Sequence, residues 1–570
     1  MNAQTAAIRK FNPGTLQSDE DVTRQFVVRE GELQIVLRTL ADNVDAACCQ
    51  HLLLIAPRGR GKTMMLARVA AEIRTNGEFT PHYLPIRFME ESQEIFSVAD
   101  FWLETLFHLA KAVEKHDMEL AAELAKSHAD FATRWQERDI AEHVRTTVLN
   151  AAERIGKKLL LMVENLQSLS ASVDNDFGWQ LRETLQCEPQ IVLLATAASR
   201  FAALDDANDA FFELFRTINL EPLDTESCSR LWRAVSGDGL SNREIRPLQI
   251  LTGGSPRFLV IMGEFSRHRS MRELLEELVT LIDDHTEYFR SYSEVLAKQE
   301  RRVYLALADL WQPSTTGEIA ARARMDVRTA STLIGRLATR GALVVHGTGR
   351  KQSYSVAERL YCIYYKLRRE PDEAAGVRSL IRFMTAFYSG PEDEIVRRFG
   401  SSDSPNLKDA ITTALTFKAL AANQAGDPDI ALTICDQIDS RISPPAPIAV
   451  GSMWLRAEAL ALLGQHVNAI HALEAASEAL DPRDGKLISI ASSCISTFVV
   501  AGADERSILR ILTSNEERAT SLLPLIVALR RRLGEVVQAP AEVHEVANDL
   551  MRYIDELSSE GSGTPTATDR

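Results

Sequence analysis

No stretch of this 570-residue sequence strings together the ~20 apolar residues that a membrane-spanning helix needs. The opening MNAQTAAIRKFNPGTLQSDE likewise has no apolar core of the kind a signal peptide carries. The expectation is a soluble, cytoplasmic protein with no membrane partner. Cysteine is sparse: the seven, at 48, 49, 187, 228, 362, 435 and 494, form no CxxC pair and have no histidine at ligand spacing. That pattern indicates neither a zinc site nor a disulfide framework, and it fits a reducing compartment. The twelve histidines include no HExxH, and no serine sits in a nucleophile elbow, so zincin and triad chemistry are not indicated. An excess of positive charge is missing too. A formal charge of −15 argues against a protein that coats nucleic acid along its whole surface, while leaving room for a local basic module.

What is present is ordinary globular material, 45% hydrophobic and 25% charged. Its length suggests about three to five domains. Between residues 21 and 220, short apolar runs alternate with longer amphipathic stretches, the signature of a parallel sheet covered by helices. Strands are predicted near 52–56, 82–88, 158–163, 190–196 and 217–220. Residues 221–300 carry helical periodicity broken at Thr252-Gly-Gly-Ser-Pro256, and read as a helical lid.

Residues 301–372 change character to helix, short helix, turn, helix and a β-rich stretch from Ala342 to Val356, the layout of a winged helix. From 373 to 557, paired Ala- and Leu-rich helical patterns follow. Residues 1–20 are expected to be flexible and the polar tail 558–570 disordered. The fold class expected is multidomain α/β plus α: a parallel-sheet core with a helical lid, a winged helix and an all-α repeat domain. Within the last, Gly426-Asp-Pro-Asp-Ile-Ala431 and Gly464-Gln-His-Val-Asn-Ala469 recur 38 residues apart. This self-similarity resembles tetratricopeptide repeats, in which Gly closes one helix and Ala lets the next pack tightly. An irregular helical domain is the alternative.

The chemistry concentrates in Ala56-Pro-Arg-Gly-Arg-Gly-Lys-Thr63, which lies between the apolar run Leu52-Leu-Leu-Ile55 and the helical stretch Met64–Ile73. A glycine-rich strand-to-helix turn ending in Gly-Lys-Thr lets backbone N–H groups close around phosphate oxygens at a helix N-terminus. Pro57, Arg58, Gly59, Arg60, Gly61, Lys62, Thr63 and Met64 are therefore the predicted cofactor-binding residues, with ATP and Mg²⁺ as the cofactors. Lys62 would reach the terminal phosphates and Thr63 would ligate the metal. Ala56 replaces the first glycine of the usual pattern.

The partner motif is Lys158-Leu-Leu-Leu-Met-Val163 followed by Glu164 and Asn165. Glu164 is the second predicted metal residue, since Mg²⁺ keeps several waters and accepts a carboxylate at a distance. Asn165 stands where a general base is usual, and an amide can orient water but cannot accept its proton. Slow hydrolysis is expected. In a shifted register, Glu164 itself is the water-polarising acid. Ile191–Thr196 reads as the next strand, delivering Thr196 or Ser199 near the γ-phosphate, or as plain core. Arg216 is either an arginine finger toward a neighbouring subunit or a solvated surface arginine, and Arg257 is the candidate lid contact to the γ-phosphate.

Phe26-Val-Val-Arg-Glu30, the APRGRGKT loop, LLLMVEN, LLAT and GGSPR together resemble the AAA+ ATPases of the origin-recognition type and the related STAND signalling ATPases, over residues 21–370. The resemblance implies that Val27 and Val28 contact the adenine, that GGSPR belongs to the lid, and that the protein is a nucleotide-gated homo-oligomer. The Glu-Asn pair departs from the family's acidic pair, and slow turnover is the expectation that follows.

Residues 301–370 hold thirteen Lys and Arg against five Asp and Glu, a local charge of +8. Arg328, Thr329, Ser331, Thr332 and Arg336 are the residues expected toward a DNA groove, with Arg350 and Lys351 on the wing facing phosphate. Packing of this module on protein neighbours is the alternative. Two functions follow as expectations. One is a STAND-like regulatory ATPase switch whose C-terminal repeats receive a protein partner, in signalling or antiphage defence. The other is an AAA+ ATPase of origin-recognition or transposition-regulator type that assembles on duplex DNA. A scaffold that holds ATP without cleaving it is a third.

Overall fold

Apolar runs bounded by turn residues decide the first half of the architecture. A computed structural model of the chain describes residues 18–88, 95–134, 136–173, 176–237, 239–265, 273–274, 296–369, 371–388, 407–441 and 447–560. Five strands, β1 (His51–Ile55), β2 (Tyr83–Arg87), β3 (Lys158–Val163), β4 (Ile191–Ala197) and β5 (Phe215–Asn219), form one parallel sheet in the order β2-β3-β4-β1-β5. Each lies within two residues of its predicted span, the usual uncertainty of element ends.

Alternate side chains feed two cores. Leu53, Ile55, Leu159, Leu161, Leu193 and Ala195 enter one, whereas Leu52, Leu54, Leu160, Met162, Val192 and Leu194 enter the other. Both faces are thus covered, which is why these strands read as unbroken apolar runs. Pro85 is tolerated because β2 is an edge strand, whose outer side needs no ladder donor. The long link between β2 and β3 is filled by the helices Val98–Val113, Met118–Thr133 and Ile140–Ile155, packed on one another.

The chain divides into two compact units: Met1–Leu240 with Thr252–Arg267 and Asp326–Val345, and Ser241–Leu251 with His268–Met325 and His346–Arg570. From 298 to 356 the elements run in the order helix Lys298–Leu310, helix Thr316–Ala323, helix Val327–Thr339, strand β6 (Leu343–His346) and strand β7 (Ser353–Val356). Thr315 starts the second helix with a reciprocal cap from Glu318, and Asp326 caps the third through the Thr329 N–H.

In the second unit Leu407–Gln424 packs with Pro428–Asp439 and Pro447–Leu462 with His466–Glu478, and Gly485–Val500 is followed in the chain by Glu505–Leu512, which packs on His466–Glu478. Gly426, Gly464 and Gly502 close the first helix of each pair at φ 78, 71 and 81°. Their amides donate to the carbonyls of Asn423, Ala461 and Val499, and the next amides, of Asp427, Gln465 and Ala503, to those of Ala422, Leu460 and Phe498. One Schellman turn therefore repeats every 38 residues in three copies. The sequence pattern exposes two; the third hides because Ser507 stands where Ala431 and Ala469 stand in the others.

First helices of successive pairs pack against each other. Glu458, 2% exposed, ties three of them: it accepts hydrogen bonds from Asn423 Nδ2 at 2.9 Å, Thr497 Oγ1 at 2.7 Å and Cys494 Sγ at 3.5 Å. The last helix runs from Ala541 to Glu560, three residues into the polar segment expected from 558. Residues 1–17, most of 266–295 and 561–570, which carry the predicted flexible start, the second half of the lid and the rest of the tail, lie outside the described residues. No described helix is long and apolar enough to cross a membrane.

Candidate nucleotide site

The carboxyl ends of β1, β3 and β4 converge on the loop that leads from β1 into the helix Lys62–Thr75. Gly59 and Gly61 hold φ of 77 and 94°, left-handed conformations that a side chain would strain. Gly61 is the residue before the helix, so the helix N-terminus opens at the loop. Lys62 is buried, and its Nζ donates to the carbonyls of Ala56 at 2.5 Å and Pro57 at 3.1 Å. A polyphosphate would offer that ammonium charged acceptors, which bind it more strongly than neutral carbonyls. Of the remaining loop residues, Arg58 is exposed and Pro57, Gly59, Arg60, Gly61, Thr63 and Met64 are half-buried.

Thr63 Oγ1 donates to Glu164 Oε2 at 2.8 Å, and Arg87 at the end of β2 brings Nη2 to 3.7 Å from Glu164 Oε1. A hydroxyl and a carboxylate side by side are hard oxygen donors that fit Mg²⁺, an ion that completes its octahedron with water and phosphate oxygens. Asn165 follows at φ 56° and begins the helix Leu166–Ser172. Its N–H donates to Thr196 Oγ1 at 3.1 Å, and Thr196 is fully buried at the end of β4. The predicted pair Glu164 and Asn165 is thus joined to the predicted Thr196 by one backbone hydrogen bond. Ser199, the other candidate on that segment, instead donates to the Thr339 carbonyl at 3.2 Å.

The Thr252–Arg257 turn reaches the same loop. Arg257 N–H and Ser255 Oγ both donate to the Gly59 carbonyl at 3.3 Å, and Arg60 Nη1 donates to the carbonyls of Gly253 at 2.6 Å and Gly254 at 3.1 Å. Arg60 therefore joins the loop through its backbone while its guanidinium lies on the turn. Arg29, unnoticed by motif reading, is the further organiser. It is 7% exposed, has φ 73°, and donates to the Arg60 carbonyl at 3.1 Å, the Glu221 carbonyl at 2.7 Å and Glu32 Oε1 at 2.9 Å. Burial draws its guanidinium pKa down, and Glu32 opposes the shift. An arginine inside the FVVRE segment is the only sequence signal that could have marked it. Arg87 gave none: it reads as the end of an apolar strand. Val28 is buried and Val27 half-buried just before Arg29. Arg216 stands on the edge strand β5, exposed, and donates to Thr39 Oγ1 at 2.9 Å.

Of the predicted nucleic-acid residues, Arg328, Ser331, Thr332, Arg336 and Lys351 are exposed and Thr329 is half-buried, while the Arg350 side chain lies outside the described set. Part of the positive charge counted in 301–370 is taken up internally. Arg322, Lys366 and Arg369 converge on the buried Asp309 carboxylate, which burial pushes toward protonation but which these cations hold below its usual range.

A parallel sheet in this order, with a glycine loop feeding a helix and a Thr–Glu pair beneath it, is consistent with a P-loop NTPase core. Residues 25–191 match the family model of the AAA ATPase domain. Among solved structures, the chain is similar to the Walker-type ATPase of Pyrococcus abyssi, at 14% identity over 60% of this chain and 95% of that one, with a TM-score of 0.38. It is similar to the ORC1 protein of Aeropyrum pernix in complex with DNA, at 14% identity over 61% and 97%, with a TM-score of 0.36. It is also similar to a STAND protein with a tetratricopeptide repeat sensor from Pyrococcus horikoshii, at 14% identity over 98% and 80%, with a TM-score of 0.26. No curated protein matches the chain.

Proposed function

We propose that this protein is a regulatory ATPase switch: ATP and Mg²⁺ bind at the loop Ala56–Thr63, hydrolysis is slow, and the nucleotide state sets whether copies of the chain assemble. The observation that carries the reading is the Thr63–Glu164 hydrogen bond at the sheet's carboxyl edge, followed directly by Asn165 in place of a base. When bound, Mg²⁺ would neutralise charge on the β- and γ-phosphates. Lys62 would turn from its carbonyls to the phosphates, Thr63 and Glu164 would hold the metal's inner and outer oxygens, and Asn165 would orient water without taking its proton. Val27 and Val28 would contact the base, Thr196 would sense the γ-phosphate through Asn165, and Arg257 would touch it from the lid. Arg216, on the sheet's rim, suits an arginine finger to a second copy.

In this reading residues 21–220 are the nucleotide domain, 221–300 the lid, 301–372 a winged helix, and 373–557 a tetratricopeptide-like domain that takes a protein partner. The repeating glycine-closed helix pairs support the last assignment, because stacked pairs offer a broad groove and no chemistry. Calorimetry with ATP and ADP in Mg²⁺, followed by mass photometry of each state, tests the proposal. Binding plus ATP-dependent assembly is expected; no uptake of either nucleotide overturns it.

A second reading, a DNA-assembling AAA+ ATPase, is favoured by one feature: Arg328, Ser331, Thr332 and Arg336 are exposed on a single helix. Filter binding of duplex DNA across a salt series, with and without ATP, decides it. Absence of affinity at low salt in both removes this reading.

A further inference from the structure

We infer that Arg60 is a positioning residue: it locks the Gly253–Arg257 turn onto the phosphate loop, keeps Arg257 at the loop's tip, and so sets how fast a bound adenine nucleotide leaves. The inference rests on the nucleotide-site reading and adds to it a residue that acts through the lid.

The loop and the turn meet along their backbones. Gly59 offers its carbonyl to the Arg257 N–H and the Ser255 hydroxyl, and Arg60 spans the next two carbonyls of the turn, Gly253 and Gly254. Two successive glycines at φ 60 and 62° place both carbonyls within reach of one guanidinium nitrogen. Both bonds come from that one nitrogen, and a planar, permanently charged guanidinium, more weakly hydrated than an ammonium, gives up less solvation than lysine would to lie against these carbonyls. Approach at Gly59 is close: a Cβ built there would lie 3.1 Å from Ser255 Oγ and 3.4 Å from Arg257 Cβ. The Arg257 side chain therefore starts directly over the loop.

The turn cannot slide to avoid this contact. A Cβ on Gly254 would lie 2.6 Å from the Leu223 carbonyl, and the Leu223 N–H already donates to the Gly254 carbonyl at 3.0 Å. Arg29 holds the other side, with one nitrogen on the Arg60 carbonyl and another on the Glu221 carbonyl. Loop, Arg60, turn, the 221–223 segment and Arg29 thus form a closed circuit of hydrogen bonds. Opening the lid breaks the circuit at Arg60 and Gly59, its two points between loop and turn. Since a bound polyphosphate sits inside the loop, exit requires that opening, and the bonds of Arg60 are part of the barrier.

Stopped-flow release of a fluorescent ADP and a fluorescent ATP from the full chain, in Mg²⁺, tests the idea with Arg60→Ala, Arg60→Lys, Arg257→Ala and the Arg60→Ala/Arg257→Ala double variant. Arg60→Ala should release ATP at least about tenfold faster, the factor associated with losing a charge-assisted hydrogen bond. Arg60→Lys should fall between wild type and Arg60→Ala. Because Arg60 acts through Arg257, the double variant should be no faster than the quicker single one. Thermal melting without nucleotide checks that each variant folds, and Arg60→Lys, which keeps the charge, stands in if Arg60→Ala does not. Unchanged release from the folded variant, or rates that multiply in the double variant, overturn the inference. A wild-type protein that binds no nucleotide would instead strike the reading on which it rests.

Discussion

Asn165 occupies a left-handed backbone position that suits its residue type. At φ 56° a glutamate would be strained, whereas asparagine and aspartate enter the left-handed region readily. The departure from the common acidic pair is therefore compatible with the local turn, and chemistry can be restored without rebuilding it. Asn165→Asp keeps the conformation and supplies a base; phosphate release should rise at least about tenfold over wild type, within the range general-base catalysis spans. A malachite-green assay reads it, and an unchanged rate would place the attacking water elsewhere. Lys62 is the residue whose loss should matter most to binding. Lys62→Ala removes the buried ammonium and should weaken ATP about a hundredfold by calorimetry, roughly 3 kcal/mol for one charged hydrogen-bonding group.

Elements are held by polar side chains that the apolar pattern conceals. His51 opens β1 at 1% exposure; its Nε2 lies 3.1 Å from the Leu185 carbonyl and its Nδ1 accepts the Leu193 N–H at 3.2 Å. Only a neutral ring with the proton on Nε2 satisfies both, and burial lowers the pKa from 6.5 to about 4. The unfolded chain takes up this proton below 6.5 and the folded one refuses it until about 4, so stability falls as pH drops through that window and is untouched above it. The loss approaches about 3 kcal/mol at full protonation. Denaturant unfolding across the window should show one proton's less pH dependence in His51→Gln than in wild type.

Glu458 has the opposite sign. Burial raises its pKa above 4.5, against the hydrogen bonds of Thr497, Asn423 and Cys494 that favour the charged form. Its cost therefore grows as pH rises past 4.5. Asn423 Oδ1, buried and without a hydrogen bond among the described residues, can accept from an amide after a flip of its own group. Glu458→Gln should thus be as stable as wild type or more so near about pH 8. Glu458→Leu removes the carboxylate acceptor and leaves Asn423 and Thr497 only the carbonyls of Leu455 and Ser493, and it should lose about 2 kcal/mol or more. Melting temperatures of the three chains compare directly.

At the scale of the whole molecule, charge is partitioned rather than uniform. The chain carries −15 overall, yet 301–370 carries +8, of which Arg322, Lys366 and Arg369 are bound to Asp309. What is left outward, including Arg328, Arg336 and Lys351, is too little for non-specific coating and enough for a local contact. If duplex DNA binds, replacing Arg328 and Arg336 by Ala should lower the slope of log affinity against log salt by about two, one for each phosphate that is no longer neutralised. An unaltered slope in the double variant would remove these residues from the interface.

Five parallel strands, the phosphate loop and the glycine-closed helix pairs were legible in the sequence because each follows from short-range rules: apolar runs, helix-start residues and the conformational freedom of Gly59, Gly61, Gly426 and Gly464. The Thr63–Glu164 pair was foreseen by motif, since both residues lie at the ends of recognisable elements. Arg29, Arg87 and the Arg60 contacts to Gly253 and Gly254 were not, because an arginine's partner depends on which backbone carbonyl or carboxylate the fold brings within about 3 Å, and sequence distance says nothing of that. The sequence by itself determined a glycine-rich strand-to-helix loop ending in Gly-Lys-Thr; only the tertiary structure decided that the turn more than 190 residues away lies on it, because opposed carbonyls and guanidiniums meet only after the sheet has formed.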